Sequence, residues 1–332
     1  MPYRIFGAEV SPYSVKVRSY FRYKGIDHEW VQRDQKAMPE FQKYAKLPLI
    51  PLVVTPDGQA IQDSTPILEK TEAAHPEPSI HPDDPCLAFL SALLEEFGDE
   101  WGNKWMFHYR WAREADQQSA GRRIARSMLG DADDATIDAT ATGIVDRMVN
   151  RVWFVGSSEQ TAPQIEASYR EGIAQLEAHL AGRPYLFGGR PAFADFGLWG
   201  QIYNAWTDPT AGAILRESSP HTIAWVERML EPSSEGDGKW DSAASLLPTL
   251  EPLLERQVGA LFLPWSDANA RALTAGNEEF SVELDGKTWT QKPQKYHARS
   301  LAAIRSKYAE VAGNTELTAV LERTGCAAWL AA

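Results

Sequence analysis

The spacing of apolar residues divides the chain into a short mixed segment and a long helical one. Residues 3–7, YRIFG, are typical of a short strand, and Val17, Tyr20 and Phe21 then recur at helical spacing within residues 12–24. A lysine, a glycine and an isoleucine follow, which is a common way for a helix to end. The chain is therefore predicted to begin with a strand and a helix.

The next forty residues predict three strands and a helix. The segment HEWVQR, residues 28–33, is strand-like. The segment LIPLVVTPDGQAIQ, residues 49–62, reads as two strands joined by a Pro-Asp-Gly turn. Asp63 and Ser64 then cap a short helix. The predicted order is β-α-β followed by β-β-α.

A proline-rich stretch separates this part of the chain from the helical part. Residues 75–85 hold four prolines in eleven positions, a composition typical of a stiff extended connector. We place a domain boundary there. Further on, the apolar pattern predicts long helices at residues 86–115, 133–155, 161–181, 195–206 and 220–230.

The last hundred residues have a pattern of their own. A polar stretch, residues 231–242, precedes them, and they begin as helix. Asp285 and Gly286 stand between two runs of alternating residues, which is a strong hairpin signal. Helix is predicted again at residues 296–310.

Composition and charge exclude several classes of function. The 332 residues include 33 Lys and Arg against 45 Asp and Glu, a formal charge of -12, which argues against a nucleic-acid or anionic-membrane role. No signal-peptide pattern or long apolar run is present, so we expect a cytoplasmic protein. Cys86 and Cys326 are too few and too far apart for a disulfide framework or a zinc cluster, and no metal is expected.

The sequence SPYS, residues 11–14, is the first candidate for chemistry. Serine is a preferred N-cap and proline is favoured at the first helical position, so a structural cap explains Ser11 and Pro12 when they are taken alone. Pro51, which opens the strand-like run IPLVV, and the capping pair Asp63 and Ser64 supply further signals in the same segment.

Together these motifs resemble the cytosolic glutathione transferases, in their serine or cysteine type. The signals are Ser-Pro-x-Ser at the first helix, Ile-Pro before the third strand, Gln-Asp-Ser at residues 62–64 and GGRPAFADFGLWG at residues 188–200. The resemblance covers about residues 3–230, and residues 240–332 are similar to an extension found in some bacterial members.

The resemblance implies the domain organisation. Residues 1–75 are expected to form an α/β thioredoxin-like, glutathione-binding domain, residues 76–85 a linker, and residues 86–230 an all-α domain. Residues 231–332 are expected to form an extension of unknown role with helices and a β-hairpin. A cytoplasmic homodimer active in detoxification is the implied form.

The resemblance also implies an enzyme and a set of site residues. Ser11 would donate a hydrogen bond to the glutathione thiolate, with Ser14 as a second donor. The co-substrate glutathione would contact Ile50 through its backbone beside a cis Pro51, and Asp63 and Ser64 at its γ-glutamyl end. An apolar, aromatic electrophile would be the second substrate.

The electrophile pocket has weaker candidates. Phe97, Trp101, Trp105 and His108 form an aromatic stripe at helical spacing, and Tyr109 lies beside it. Such a stripe is more often packed core than pocket, so Trp101, Trp105, His108 and Tyr109 are pocket candidates only.

Two residues depart from the family pattern, and two other functions stay open. Ala192 stands where a capping serine or threonine is usual, and Leu49 stands where a lysine often contacts glutathione. The alternatives are a glutathione-dependent reductase or lyase, which normally has a cysteine at the first helix, and a non-catalytic binding or assembly protein of the same fold.

Overall fold

A four-stranded mixed sheet forms the N-terminal part of the protein. The computed structural model describes residues 1–331. The strands β1 (Tyr3–Gly7), β2 (His28–Gln32), β3 (Leu52–Val54) and β4 (Ala60–Gln62) lie in the order β2-β1-β3-β4. The pair β1 and β2 is parallel, whereas β3 is antiparallel to both of its neighbours. The thioredoxin-like prediction is confirmed.

Three helices complete this part: α1 (Pro12–Tyr23), α2 (Met38–Tyr44) and α3 (Ser64–Ala74). The sequence pattern missed α2, a seven-residue helix that buries only Phe41. The Ile50–Pro51 peptide bond is cis.

The rest of the chain as far as residue 331 is helical apart from one hairpin and the connecting loops. Its helices up to residue 228 are α4 (Pro85–Phe97), α5 (Asn103–Ala112), α6 (Glu114–Leu129), α7 (Asp134–Val149), α8 (Ala162–Leu180), α9 (Phe193–Trp206), α10 (Pro209–Ser218) and α11 (Pro220–Arg228). A π-helical turn, Gly98–Gly102, joins α4 to α5 without a break. The pattern had predicted neither α6 nor α10 as a separate helix.

The C-terminal extension contains the predicted helices and hairpin. Its elements are α12 (Ala243–Leu253), a π-helical stretch (Leu254–Phe262), α13 (Leu263–Ala275), β5 (Phe280–Leu284), β6 (Lys287–Gln291), α14 (Lys295–Val311), α15 (Thr315–Arg323) and α16 (Ala327–Leu330). Asp285 and Gly286 both adopt positive φ between β5 and β6, as a tight hairpin turn requires.

The extension shares one hydrophobic core with the rest of the protein. Trp265 and Trp289 are fully buried in the same cluster as Ile5 of the sheet and Trp105 of α5. The side chain of Gln257 accepts a hydrogen bond from Ser168 of α8 at 2.7 Å. The extension is therefore an integral layer and not an appended tail.

Helix α9 lies at the centre of the helical layer. Its Asp195 carboxylate accepts hydrogen bonds from the amides of Leu186 and Ala192 and from the indole of Trp225, at 2.9, 2.8 and 2.8 Å. The bond from the Ala192 amide to Asp195 is one half of a capping box, and the other half is missing because alanine has no hydroxyl. Among residues 1–331, no helix is both long and apolar enough to cross a membrane.

Candidate active site

Ser11 is both a helix cap and a free hydrogen-bond donor. Its hydroxyl oxygen accepts a hydrogen bond from the amide of Ser14 at 3.3 Å, and Pro12 occupies the first helical position. Because a hydroxyl accepts through its lone pairs, its own O–H remains able to donate. The side chain is half-buried, and it donates no hydrogen bond to another described residue.

The electrostatics at this helix start favour an anion. The first turn of α1 contains no acidic side chain, so the positive end of the helix dipole is not neutralised from within the helix. The buried guanidinium of Arg110 donates to the carbonyl of Val10, directly before Ser11, at 2.9 Å. This contact fixes the loop that carries Ser11.

Ser14, the predicted second donor, lies in the core. It is fully buried, and its Cβ packs so closely on β1 that a Cβ on Gly7 would lie only 2.9 Å from it. Its hydroxyl has no hydrogen-bond partner among the described residues. The structure therefore encloses this hydroxyl, and the role of Ser14 as a second donor stays a prediction.

The backbone of Ile50 is available to a ligand. Its amide and carbonyl make no hydrogen bond within residues 1–331, and the residue is half-buried. The Gln62 amide group donates to the carbonyls of Leu47 and Leu49, at 2.9 Å each, and holds the loop before Pro51. An extended peptide has an unpaired backbone edge to bind at this point.

Asp63 and Ser64 lie in different environments. Asp63 is half-exposed, with a φ of 80°, which is unusual for a residue other than glycine. The hydroxyl of Ser64 is buried, 3.4 Å from Lys16 Nζ and 3.3 Å from Asp99. Of the two predicted γ-glutamyl contacts, only the Asp63 side chain is open to solvent.

A buried charge cluster encloses Ser64. The ammonium of Lys16 contacts the carboxylates of both Glu95 and Asp99, the latter at 2.6 Å. Burial alone would lower the pKa of Lys16, but the two carboxylates outweigh it and raise that pKa. Burial raises the pKa of Asp99 to about 7, against the opposing effect of Lys16 and with a further upward contribution from Glu95.

An apolar cavity of about 240 Å³ lies beside Ser11. The residues on either side of that serine, Val10 and Pro12, belong to its wall. The other lining residues include Met106, Phe107 and Trp111 of α5, Met148 of α7 and Phe154. A small aromatic molecule in this cavity would lie next to the start of α1.

The predicted pocket residues lie on another face of the same helical segment. Trp101, Trp105, His108 and Tyr109 are all 1–2% exposed. Both tryptophans donate to the hydroxyl of Ser168 at 2.9 Å. They are packed core, and the cavity is lined instead by positions 103, 106, 107, 110 and 111. That i, i+3, i+4, i+7, i+8 spacing was the signal available in the sequence.

His108 has a structural environment. Its ring nitrogens contact Ser157 at 2.8 Å and Glu166 at 3.1 Å, and burial lowers its pKa. Both partners belong to the chain, so the ring has no free position for a substrate.

The chain matches two domain models of one family. Residues 10–74 match the N-terminal domain of glutathione S-transferase, and residues 159–228 match its C-terminal domain.

Among solved structures, the chain is similar to the beta-etherase LigF from Sphingobium sp. strain SYK-6, with 18% identity, 76% of this chain and 99% of that chain covered, and a TM-score of 0.45. It is also similar to a glutathione S-transferase from Methylobacterium radiotolerans, which was solved with glutathione sulfonate. The identity is 19%, 75% of this chain and 94% of that chain are covered, and the TM-score is 0.39.

Proposed function

This chain belongs to the glutathione transferase superfamily, and from that premise we propose that it transfers glutathione to an apolar, aromatic electrophile. The observation that carries the proposal is the free O–H of Ser11 at the start of α1, beside the apolar cavity.

The first task of such an enzyme is to ionise a thiol. A cysteine thiol has a pKa of about 8.5 and is mostly protonated at neutral pH, whereas the thiolate is the nucleophile. The Ser11 hydroxyl would donate to the sulfur, and the dipole of α1 would stabilise its negative charge, together favouring loss of the proton to solvent. Ser11 acts as a donor in this mechanism and forms no covalent bond.

The second task is to position the two substrates. The backbone of Ile50, beside Pro51, pairs with the cysteinyl part of glutathione, and Asp63 accepts a hydrogen bond from the γ-glutamyl ammonium. The thiolate then attacks the electrophilic carbon of a molecule in the cavity. A carbon–sulfur bond forms, and the leaving group departs with its electron pair.

The cysteines do not favour disulfide exchange or a cysteine-dependent lyase. Cys86 lies in α4 and Cys326 directly before α16, and both are buried. Burial raises the pKa of each thiol to about 12, so neither is a ready nucleophile.

Two measurements on the full chain test the proposal. Isothermal titration calorimetry should detect glutathione binding, and the ultraviolet absorbance of the bound thiolate should titrate below the pKa of free glutathione. Turnover of aromatic halides should follow the same titration. Binding with an unshifted thiol pKa would instead favour the non-catalytic alternative.

A homodimer is part of the proposal. Leu47 and Leu49, in the loop before Pro51, are 57% and 61% exposed, and a partner subunit would remove such side chains from water. Sedimentation velocity at micromolar concentration should show a dimer.

A further inference from the structure

Asp63 is directed toward the extension and away from its own helix. It stands at the N-cap of α3 but makes no side-chain capping bond. Both of its carboxylate oxygens instead lie within reach of the Tyr296 hydroxyl in α14, at 3.2 and 3.1 Å. A positive φ at a residue other than glycine is a strained conformation that tends to persist at functional sites.

Helix α14 is held firmly in this position. His297 contacts Glu100, Ser300 donates to Glu96, and Lys307 pairs with Glu69 of α3 at 2.7 Å. The extension behind α14 belongs to the main core, so it is not a detachable lid. Tyr296 is thus a fixed wall beside Asp63.

Tyr296 is a partly exposed residue in this wall, and its hydroxyl contacts Asp63. The residue is 45% exposed, so a ligand at Asp63 would meet its hydroxyl and ring. The hydroxyl of Ser64, predicted to bind a carboxylate here, is enclosed by Lys16 and Asp99. The hydroxyl that contacts Asp63 therefore comes from the extension.

We propose that Tyr296 and Asp63 together bind the γ-glutamyl end of glutathione. That end carries an ammonium, which donates hydrogen bonds, and a carboxylate, which accepts them. Ionised Asp63 can only accept hydrogen bonds, and in the structure its oxygens accept the single O–H of Tyr296. A ligand ammonium that takes this place on Asp63 frees the O–H to donate to the ligand carboxylate, so the pair complements both groups. The inference rests on the proposed function and adds a residue outside the two matched domains, residues 10–74 and 159–228.

The test compares two tyrosines of α14. Tyr296→Phe removes the hydroxyl at Asp63. Tyr308→Phe removes a hydroxyl that makes no hydrogen bond within the described residues, from a ring that packs against Phe89. Calorimetry with glutathione on the full-length protein should show Kd raised about tenfold by Tyr296→Phe, as expected for a lost hydrogen bond to a charged group. Tyr308→Phe should leave Kd unchanged, and kcat at saturating glutathione should change little in either variant.

A double-mutant cycle with Asp63→Asn sharpens the test. If both side chains bind the same end of the ligand, the losses of binding free energy in the two single variants should not add up to the loss in the double variant. An unchanged Kd in Tyr296→Phe overturns the proposal, and a lower Kd would make the tyrosine an obstruction and overturn it equally.

The outcome is separable from the proposed function. A normal thiolate shift with no effect of Tyr296→Phe removes only Tyr296 from the site. A wild-type protein that binds glutathione without a thiolate shift, and loses affinity in Tyr296→Phe, contradicts the transferase and supports the tyrosine. Absence of any glutathione binding by the wild type overturns both.

Discussion

The Nζ atom of Lys104 lies 3.6 Å from the centroid of the Trp265 ring, and this contact joins α5 to the extension. Trp101 and Trp289 surround the same atom, with ring centroids at 5.5 Å. Its one hydrogen bond within the described residues goes to the carbonyl of Val155, at 3.0 Å. Burial lowers the pKa of Lys104 well below its usual value, with Glu100 opposing the shift.

Two effects compete at Lys104. Indole faces attract a cation, but the residue is 1% exposed and has no carboxylate in direct contact. The cost of burying an unpaired ammonium exceeds the few kcal/mol available from aromatic faces. We therefore expect a neutral amine.

The first prediction follows from that neutrality. In the folded protein Lys104 holds no proton over a pH range in which the unfolded chain holds one, so this group makes stability rise with pH toward its usual pKa. Lys104→Met keeps the stem and removes the titration. Urea unfolding should show that the variant has a higher free energy of unfolding than the wild type. This difference should be larger at pH 6 than at pH 9.

The control is Lys292→Met, which removes an exposed lysine over Trp153 and should change stability by less than about 0.5 kcal/mol. If Lys104→Met lost several kcal/mol of unfolding free energy at both pH values, Lys104 would instead be a charged ammonium among its tryptophan rings.

The second prediction concerns Asp99, which shares the Lys16 ammonium with Glu95. Its pKa is raised to about 7, so between its unfolded value near 4 and pH 7 the folded chain holds a proton that the unfolded chain has released. Stability should therefore fall as pH rises through this range. Asp195, whose pKa burial also raises to about 7, acts in the same direction.

The variant Asp99→Asn resembles the protonated carboxyl at every pH. The melting temperature of the variant minus that of the wild type, measured by circular dichroism, should increase from pH 4.5 to pH 8. A difference that stays constant or shrinks with pH would mean that Asp99 is ionised throughout.

The third prediction concerns the packing that places α1. A Cβ on Gly200 of α9 would lie 2.5 Å from the carbonyl oxygen of Pro12, in the first turn of α1. Because that atom belongs to the backbone, Gly200→Ala must displace the start of α1, at a cost of about 1–3 kcal/mol. Thiolate stabilisation should weaken as well, since Ser11 moves with this turn.

The matched control is Gly143→Ala, in the middle of α7, where an added Cβ meets nothing within 4 Å. It should be neutral or stabilise by up to about 1 kcal/mol, because alanine favours helix. Equal melting temperatures and thiolate pKa values in the two variants would contradict the packing argument.

Local signals were enough to predict the small elements of the fold. The strand Tyr3–Gly7, the hairpin at Asp285 and Gly286, and the start of α1 at Pro12 each follow from residue types a few positions apart. The sequence did not predict the helix Met38–Tyr44, because this helix is short and buries one side chain, which is too little for a periodic pattern.

Long-range packing decided what the sequence could not. The sequence predicted the helical segment beside the cavity. Aromatic residues occur on both its core face and its cavity face, so only their neighbours in the folded protein distinguish Trp105 from Phe107. Tyr296 and Asp63 are 233 residues apart, and no local pattern indicates that α14 packs near α3.

The fourth prediction asks whether Ser11 is more than a cap. Ser11→Ala removes the hydroxyl that would donate to the sulfur, and this bond is stronger to a thiolate than to a thiol. The pKa of bound glutathione should therefore rise, and kcat should fall about tenfold or more, for a loss of about 1.5–3 kcal/mol. The Kd of glutathione should change less, because the rest of the ligand keeps its contacts.

Loss of the cap must be separated from loss of the donor. Ser11→Ala should also cost about 0.5–2 kcal/mol of stability, whereas Ser11→Gly, which caps nearly as well, should cost only a few tenths. Neither variant has a hydroxyl, so both should show the raised thiolate pKa. Ser14→Ala removes a buried hydroxyl without a partner and should leave that pKa unchanged. If the thiolate pKa follows stability, so that Ser11→Gly resembles the wild type, Ser11 is a helix cap alone.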